Sequence, residues 1–236
     1  MQKIIKHLKY LLFEPKENLY NHKTLILYHG WGGTAEGYTE LAEELLEKGY
    51  KVIVPEILYH DTREPLENHY DQKTLQAYFW KIITNSIDEF NEFISEIGIK
   101  KEETILIGSS MGGFIANGIF AREMRLAGLA NINGSGSYIL TERLFRSMDG
   151  RGSIPPELEM TLSDYDPVKK ENCPSSVLLI HGDSDKIIPI DGQKDYYRYL
   201  AEEQKRDNVE FHIHKEVNHQ FTTEMVIELM DWLDRI

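Results

Sequence analysis

The sequence predicts a doubly wound, mostly parallel α/β sheet flanked by helices, and three observations predict it. Short apolar runs rich in β-branched residues alternate with longer amphipathic runs, the pattern of strands buried on both faces between crossover helices. Most apolar runs end in glycine or a polar residue, while several amphipathic runs close on glycine or basic residues, as helix C-termini prefer. No internal repeat, low-complexity tract or linker marks off a second unit, so residues 1–236 read as one domain large enough to bury a sizeable core.

In chain order, the segment containing "LKYLLFEP" precedes the first firm strand and adds an edge strand or a hairpin. Strands are then expected at "TLILYHG" (24–30), "KVIVPE" (51–56), "TILIGS" (104–109), "GLANING" (128–134), "SVLLIHG" (176–182) and "VEFHIHK" (209–215). Helices are expected between and after them, at "AEGYTELAEELLEKG", "TLQAYFWKIITNSIDEFNEFISEIG", "MGGFIANGIFAREMRLAG", "GQKDYYRYLAEEQKR" and "HQFTTEMVIELMDWLDRI". The rhythm breaks over 135–175, where "RSMDGRGSIPPELEMTLSDYDP" is rich in Gly, Pro and Asp and shows only short helical runs. A loop this long inside a compact domain is usually functional, so 135–175 is expected to be a lid-like excursion or a pocket wall.

Composition narrows the function classes. Hydrophobic residues at 41% and charged residues at 28% suit an ordinary globular protein. Acidic residues outnumber basic ones 39 to 26, and the formal charge of -13 would repel nucleic-acid phosphates and anionic membrane surfaces. Neither nucleic acid nor membrane is therefore expected as a partner; homo-oligomerisation is left open. The single cysteine, Cys173, excludes an internal disulfide and a cysteine-rich metal site. Lys6 and Lys9 interrupt the first apolar stretch before an export signal forms, and no uncharged run approaches the roughly 18 residues that span a bilayer. A cytoplasmic protein is the expectation.

The chemistry centres on Gly108-Ser109-Ser110-Met111-Gly112-Gly113, a G-x-S-x-G pattern directly after an expected strand and before an expected helix. A serine at such a turn sits in a strained backbone, and its neighbours two positions away must be small to let strand and helix approach. The helix start also supplies amide hydrogens and partial positive charge. A phosphate-binding turn is the competing reading, but the Gly-Lys-Ser/Thr ending of that loop is missing.

A serine hydroxyl needs a base to take its proton and a carboxylate to orient that base, in the chain order Ser, Asp or Glu, His for this turn. "SVLLIHGDSDKIIP" offers Asp183 and Asp185 just past a strand end, with Asp185 preferred. Among the C-terminal histidines, His212 and His214 alternate within a strand and read as sheet-margin residues, whereas His219 lies in the loop before the last helix and is the better base. A second oxyanion donor is expected from "LYHGWGGT", where Gly30, Gly32 and Gly33 let the backbone approach a substrate carbonyl, so that the amides of Trp31 and Met111 share one cavity.

Through "HGWGG", "GSSMGG", "HGDSDKIIP" and "NHQF", from about Thr24 onward, the chain resembles the α/β-hydrolase superfamily. More narrowly it resembles small bacterial esterases of the dienelactone-hydrolase and prolyl-oligopeptidase-like groups, a likeness that "VIVPEILYHDTRE" strengthens. The resemblance implies that His-Gly-x-x-Asp-x-x-(Val/Ile)-Pro places the acid at Asp185, with Pro189 closing the match. Two departures stand out: Ser110 replaces the cysteine of dienelactone hydrolases, which argues against that lactone chemistry, and Glu216 stands where many relatives have glycine.

His60, Asp61 and Arg63 follow a strand end, but a polar loop of this kind is more often solvated than pocket-lining. "NGSGSYI" has Ile139 at the third glycine position of a dinucleotide loop, and His212-x-His214 lacks further ligands, so no cofactor and no metal are expected. The expectation is a serine esterase acting on a small-molecule ester through an acyl-enzyme, with Ser110, Asp185 and His219 catalytic and Trp31 and Met111 forming the oxyanion hole. A peptidase or thioesterase with the same groups, and a binding protein on a hydrolase-like frame, are the alternatives.

Overall fold

In a computed structural model that describes residues 2–5 and 8–236, eight strands form one sheet. They are β1 (Gln2–Ile5), β2 (Leu8–Phe13), β3 (Thr24–Tyr28), β4 (Lys51–Pro55), β5 (Thr104–Ser109), β6 (Gly128–Ile132), β7 (Ser176–Gly182) and β8 (Val209–His214), in the order β1-β2-β4-β3-β5-β6-β7-β8. From β4 to β8 every pairing is parallel. The segment around "LKYLLFEP" is the hairpin alternative: β1 pairs antiparallel with β2, and β2 antiparallel with β4.

Period-two alternation sorts the strand side chains into two apolar layers. Ile26, Leu106, Leu129, Val177 and Leu179 face α2 (Gln72–Ile97) and α3 (Met111–Phe120), while Leu25, Leu27, Ile105, Ile107, Leu178 and Ile180 face α1 (Thr39–Glu47) and α7 (Thr223–Leu233). Strand β3 is buried at every position and therefore carries no polar face, as a central parallel strand requires. Burying each such Leu or Ile stabilises the fold by about 1.5–3 kcal/mol, so the two layers dominate the energetics and hold the strand ends fixed.

Several expected elements differ in extent, among them the last helix, which runs only over Thr223–Leu233. The third helix stops at Phe120, because all ten of its residues are buried and the following Arg122, Glu123 and Arg125 need solvent or partners such as the Lys101–Glu123 ion pair at 2.6 Å. The helix after β7, α6 (Ile190–Arg198), ends in a widened turn over Tyr199–Glu203. Within 135–175 two regular helices appear, α4 (Tyr138–Asp149) and α5 (Pro156–Tyr165). Its loop-like composition belongs to their ends: Gly150 caps α4 at φ +69°, Pro156 opens α5, and the Asp166 carboxylate receives the Tyr138 and Ile139 amides at 3.0 Å each. Burial pushes the Asp166 carboxyl up despite those amides. Among the described residues, no helix is long and apolar enough to cross a membrane.

Candidate active site

Strand β5 delivers the chain to Ser110, which has φ 55° and ψ -123° and donates its amide to Ile132 O at 2.9 Å before α3 begins at Met111. A non-glycine residue at this φ costs on the order of 1–2 kcal/mol and persists because its surroundings hold it. Those surroundings explain the glycines. A Cβ on Gly108 would run into the Gly112 carbonyl, and one on Gly112 into the Tyr28 carbonyl, so any larger residue would push strand and helix apart.

Two loops at the carboxyl ends of β7 and β8 bring the other expected groups to this turn. His219 Nε2 lies 2.8 Å from Ser110 Oγ, and His219 Nδ1 lies 2.6 Å from Asp185 Oδ2. Since a carboxylate only accepts, Nδ1 carries the hydrogen and Nε2 is left to accept from the serine hydroxyl. The Asp185 side chain has no solvent exposure; its Oδ1 accepts from the Ile187 and Ile188 amides at 2.8 and 2.9 Å. Burial works to raise this carboxyl, but hydrogen bonds from His181 and His219 overcome it and hold Asp185 well below the usual carboxylate range.

The rival aspartate has a different task. Asp183 Oδ1 accepts the Glu216 amide at 2.7 Å, while Asp183 N donates to His214 O and Ser184 N to Val217 O, so the loop bearing Asp185 is stitched to the loop bearing His219. Asn218 Oδ1 adds a bond from Lys186 N at 2.9 Å, and the buried Asn133 bridges Gly182 N and Gln220 O at 3.0 and 2.7 Å. Glu216 adopts φ +59°, a left-handed conformation that glycine takes without strain. His212 and His214 are drawn to Glu228 on α7, at 2.9 and 3.0 Å. Thr222 caps α7 by accepting from Met225 N, which starts that helix beyond His219 and leaves the histidine in the loop.

On the opposite flank, the turn after β3 abuts the serine: a Cβ on Gly30 would sit 3.1 Å from Ser110 Cβ and 3.6 Å from Oγ. Trp31 follows immediately, its indole nitrogen donating to His69 O at 2.7 Å. Met111 opens α3, so its amide is one of the first-turn donors without an intrahelical acceptor.

Within the loop after β4, His60, Asp61 and Arg63 are withdrawn from solvent, while Thr62 and Glu64 are exposed. His60 is fully buried and Arg63 nearly so. His60 Nε2 accepts the Gly32 amide at 3.0 Å, and Asp61 receives His29 Nε2 at 3.0 Å and the Ala35 amide at 2.7 Å. His181 is also buried, behind Asp185, with Nε2 3.0 Å from Ile188 O and 3.3 Å from Asp185 Oδ2. Burial of these histidines is a tertiary property, and nothing local in "YHDTRE" or "LIHG" announces it.

These features can be set beside known proteins. The chain is similar to YitV of Bacillus subtilis (strain 168), which carries a provisional esterase name, with 23% identity over 98% of this chain and 96% of that protein. It is similar to the esterase YjfP of Escherichia coli (strain K12), with 25% identity over 75% of this chain and 74% of that one. The fold is that of the crystal structure of MGS-MChE2, an α/β hydrolase from a lagoon-sediment metagenome, with a TM-score of 0.60, 18% identity and coverage of 100% of this chain and 96% of the other. Residues 8–227 match the sequence pattern of the dienelactone hydrolase family, and the chain belongs to that family.

Proposed function

We propose that this chain is a serine hydrolase that cleaves carboxylic esters of small molecules through an acyl-enzyme. The observation that carries the reading is the unbroken line Ser110 Oγ, His219, Asp185, joined at 2.8 and 2.6 Å beside a strained strand-to-helix turn. In this mechanism His219 Nε2 takes the hydroxyl proton as Ser110 Oγ attacks the ester carbonyl, and the carbonyl electron pair moves onto oxygen. The Trp31 and Met111 amides receive that oxyanion, and the ionised Asp185 stabilises the imidazolium. Collapse expels the alkoxide, which takes the proton from His219; water then attacks the acyl-serine by the same route, releasing the carboxylic acid.

The 135–175 segment reads in this scheme as a pocket wall. Phe145 of α4 packs edge-on against Phe79 at 5.6 Å, and Phe79 packs against Trp31 at 6.2 Å, so an aromatic line joins α4 to the oxyanion turn. The reading is tested by a fluorophosphonate probe and by turnover of a short-chain p-nitrophenyl ester. The wild type is expected to be labelled and active, and Ser110→Ala to lose labelling and on the order of 10^6-fold in turnover. An unlabelled wild type, or an alanine variant as fast as wild type, would overturn it. Side-by-side rates on ester, thioester and aminoacyl-amide substrates identify the leaving group, with the ester expected to be fastest.

A further inference from the structure

The loop after β4 combines two features that seldom occur together by accident. Within six residues, Tyr59, Asp61 and Glu64 adopt φ of 67°, 52° and 54°. Left-handed backbone at a non-glycine residue costs on the order of 1 kcal/mol or more, and surroundings must over-determine it for it to persist. They do so here. Tyr59 N donates to Arg63 O at 2.8 Å and Arg63 N to His60 O at 2.9 Å; Glu56 Oε2 takes both the Thr62 amide and its hydroxyl; the Arg63 guanidinium bonds Glu56 O and, through two nitrogens, the Glu89 carboxylate at 3.0 and 2.8 Å.

What this loop offers its neighbours is a set of anchors for the glycine-rich turn beside Ser110. His60 Nε2 holds the Gly32 amide, and Asp61 holds the Ala35 amide. His29 donates through Nε2 to the Asp61 carboxylate at 3.0 Å, and Gly33 N closes onto Gly30 O at 3.1 Å. The Trp31 peptide thus lies between tethered neighbours on both sides. A turn with Gly30, Gly32 and Gly33 would otherwise sample many shapes, at about 1–2 kcal/mol of conformational entropy per residue that is fixed.

We propose that His60 is a positioning residue for the oxyanion hole: as an unprotonated acceptor for the Gly32 amide, and together with Asp61 and His29, it fixes the direction in which the Trp31 amide points. The role rests on the esterase reading above. An imidazole that accepts through Nε2 must carry its hydrogen on Nδ1, and the surroundings favour that neutral form. The ring is buried and faces His29 at the end of β3 and His69 ahead of α2, with centroids 5.3 and 4.3 Å away, and Asp61 on its own loop. Burial and the two neighbouring histidines lower its pKa to about 4. Protonation would turn the acceptor into a donor facing the Gly32 N–H and release the turn.

The experiment compares wild type, His60→Phe, His60→Asn and His60→Gln on p-nitrophenyl acetate, with active sites counted by fluorophosphonate labelling and folding followed by thermal melting. Phenylalanine keeps the ring volume without an acceptor. Asparagine places its amide near the Nδ1 position, out of reach of Gly32, and carries the same expectation should the phenylalanine variant not fold. Both are expected to lower kcat per labelled site by about 10- to 100-fold while KM moves by less than about threefold, a fraction of the 100- to 1,000-fold loss that follows removal of an oxyanion donor. Glutamine, whose side-chain oxygen reaches the Nε2 position, is expected to recover about tenfold of that loss. Kcat per labelled site within about twofold of wild type in the variants that fold, or a loss confined to KM, would overturn the positioning role alone. A wild type that neither labels nor turns over would overturn the esterase reading and this role with it.

Discussion

The two flanks of Ser110 are held by different physics. On the side of Asp185 and His219, short polar side chains bond backbone brought close by the fold: Asp183 to Glu216 N, Asn218 to Lys186 N, Asn133 to Gly182 N and Gln220 O. Each bond contributes about 1 kcal/mol net, and several act in parallel, so no single one carries the loop. On the side of Trp31 the Gly32 amide bonds one buried imidazole, itself carried on a loop with three left-handed residues. The ties of the first flank are several and parallel; those of the second run through His60 and Asp61, ionisable groups withdrawn from solvent. On the proposed reading, one site is therefore rugged in its proton-transfer line and sensitive in its oxyanion turn.

The largest effects should come from the proton-transfer line itself. His219→Ala is expected to lower kcat on the order of 10^6-fold and Asp185→Asn about 10^4-fold, both with thermal melting within a few degrees of wild type. An Asp185→Asn variant with wild-type kcat would remove the acid from this flank. Next comes the turn between the flanks. A methyl group on Gly112 meets the Tyr28 carbonyl, so Gly112→Ala is expected to destabilise the fold by about 3 kcal/mol, seen as a lower denaturation midpoint with an unchanged urea slope. Stability equal to wild type would mean that strand and helix can part without penalty.

Smaller effects sharpen the contrast between the two aspartates. Asp183→Ala removes one of several parallel ties, and about 1 kcal/mol of stability with less than about tenfold of kcat should go with it. A loss as large as that of Asp185→Asn would break the comparison, because the base loop would then hang on a single contact.

How much of this was legible in the sequence follows the same division. Steric demands that act between near neighbours leave local marks: glycines flanking Ser110, the Asp-x-x-x-Pro run from Asp185 to Pro189, and buried strands with no polar face. The chain order of Ser110, Asp185 and His219 is visible because strand ends gather at one rim of a parallel sheet. The helices within 135–175 were hidden because Gly150 and Pro156, the residues that bound them, give the segment the composition of a loop. His60 was hidden for a different reason: whether a polar side chain after a strand meets water or a glycine turn is decided by what packs over it, and here that is Trp31, from the loop after another strand, and His69, 5.5 and 4.3 Å away between ring centres.

The finest test of the contrast is the response to acid. His60 has its pKa lowered to about 4, so the folded state refuses a proton that the unfolded chain accepts near pH 6.5. Its contribution to stability is therefore complete above pH 6.5 and is lost as pH falls from there through about 4, a difference of about 3 kcal/mol at the acid end. Asp185, held below the ordinary carboxylate value, adds a loss of the same sign, but one that begins only as pH falls through the unfolded carboxylate range near 4. The two flanks thus respond in separate windows. Melting temperatures of wild type and His60→Gln between pH 7 and pH 4.5 should converge as the wild type loses the advantage of its neutral imidazole. Parallel curves over that window would mean that the ring is not held neutral, and the sensitivity assigned to the oxyanion flank would have to come from its backbone alone.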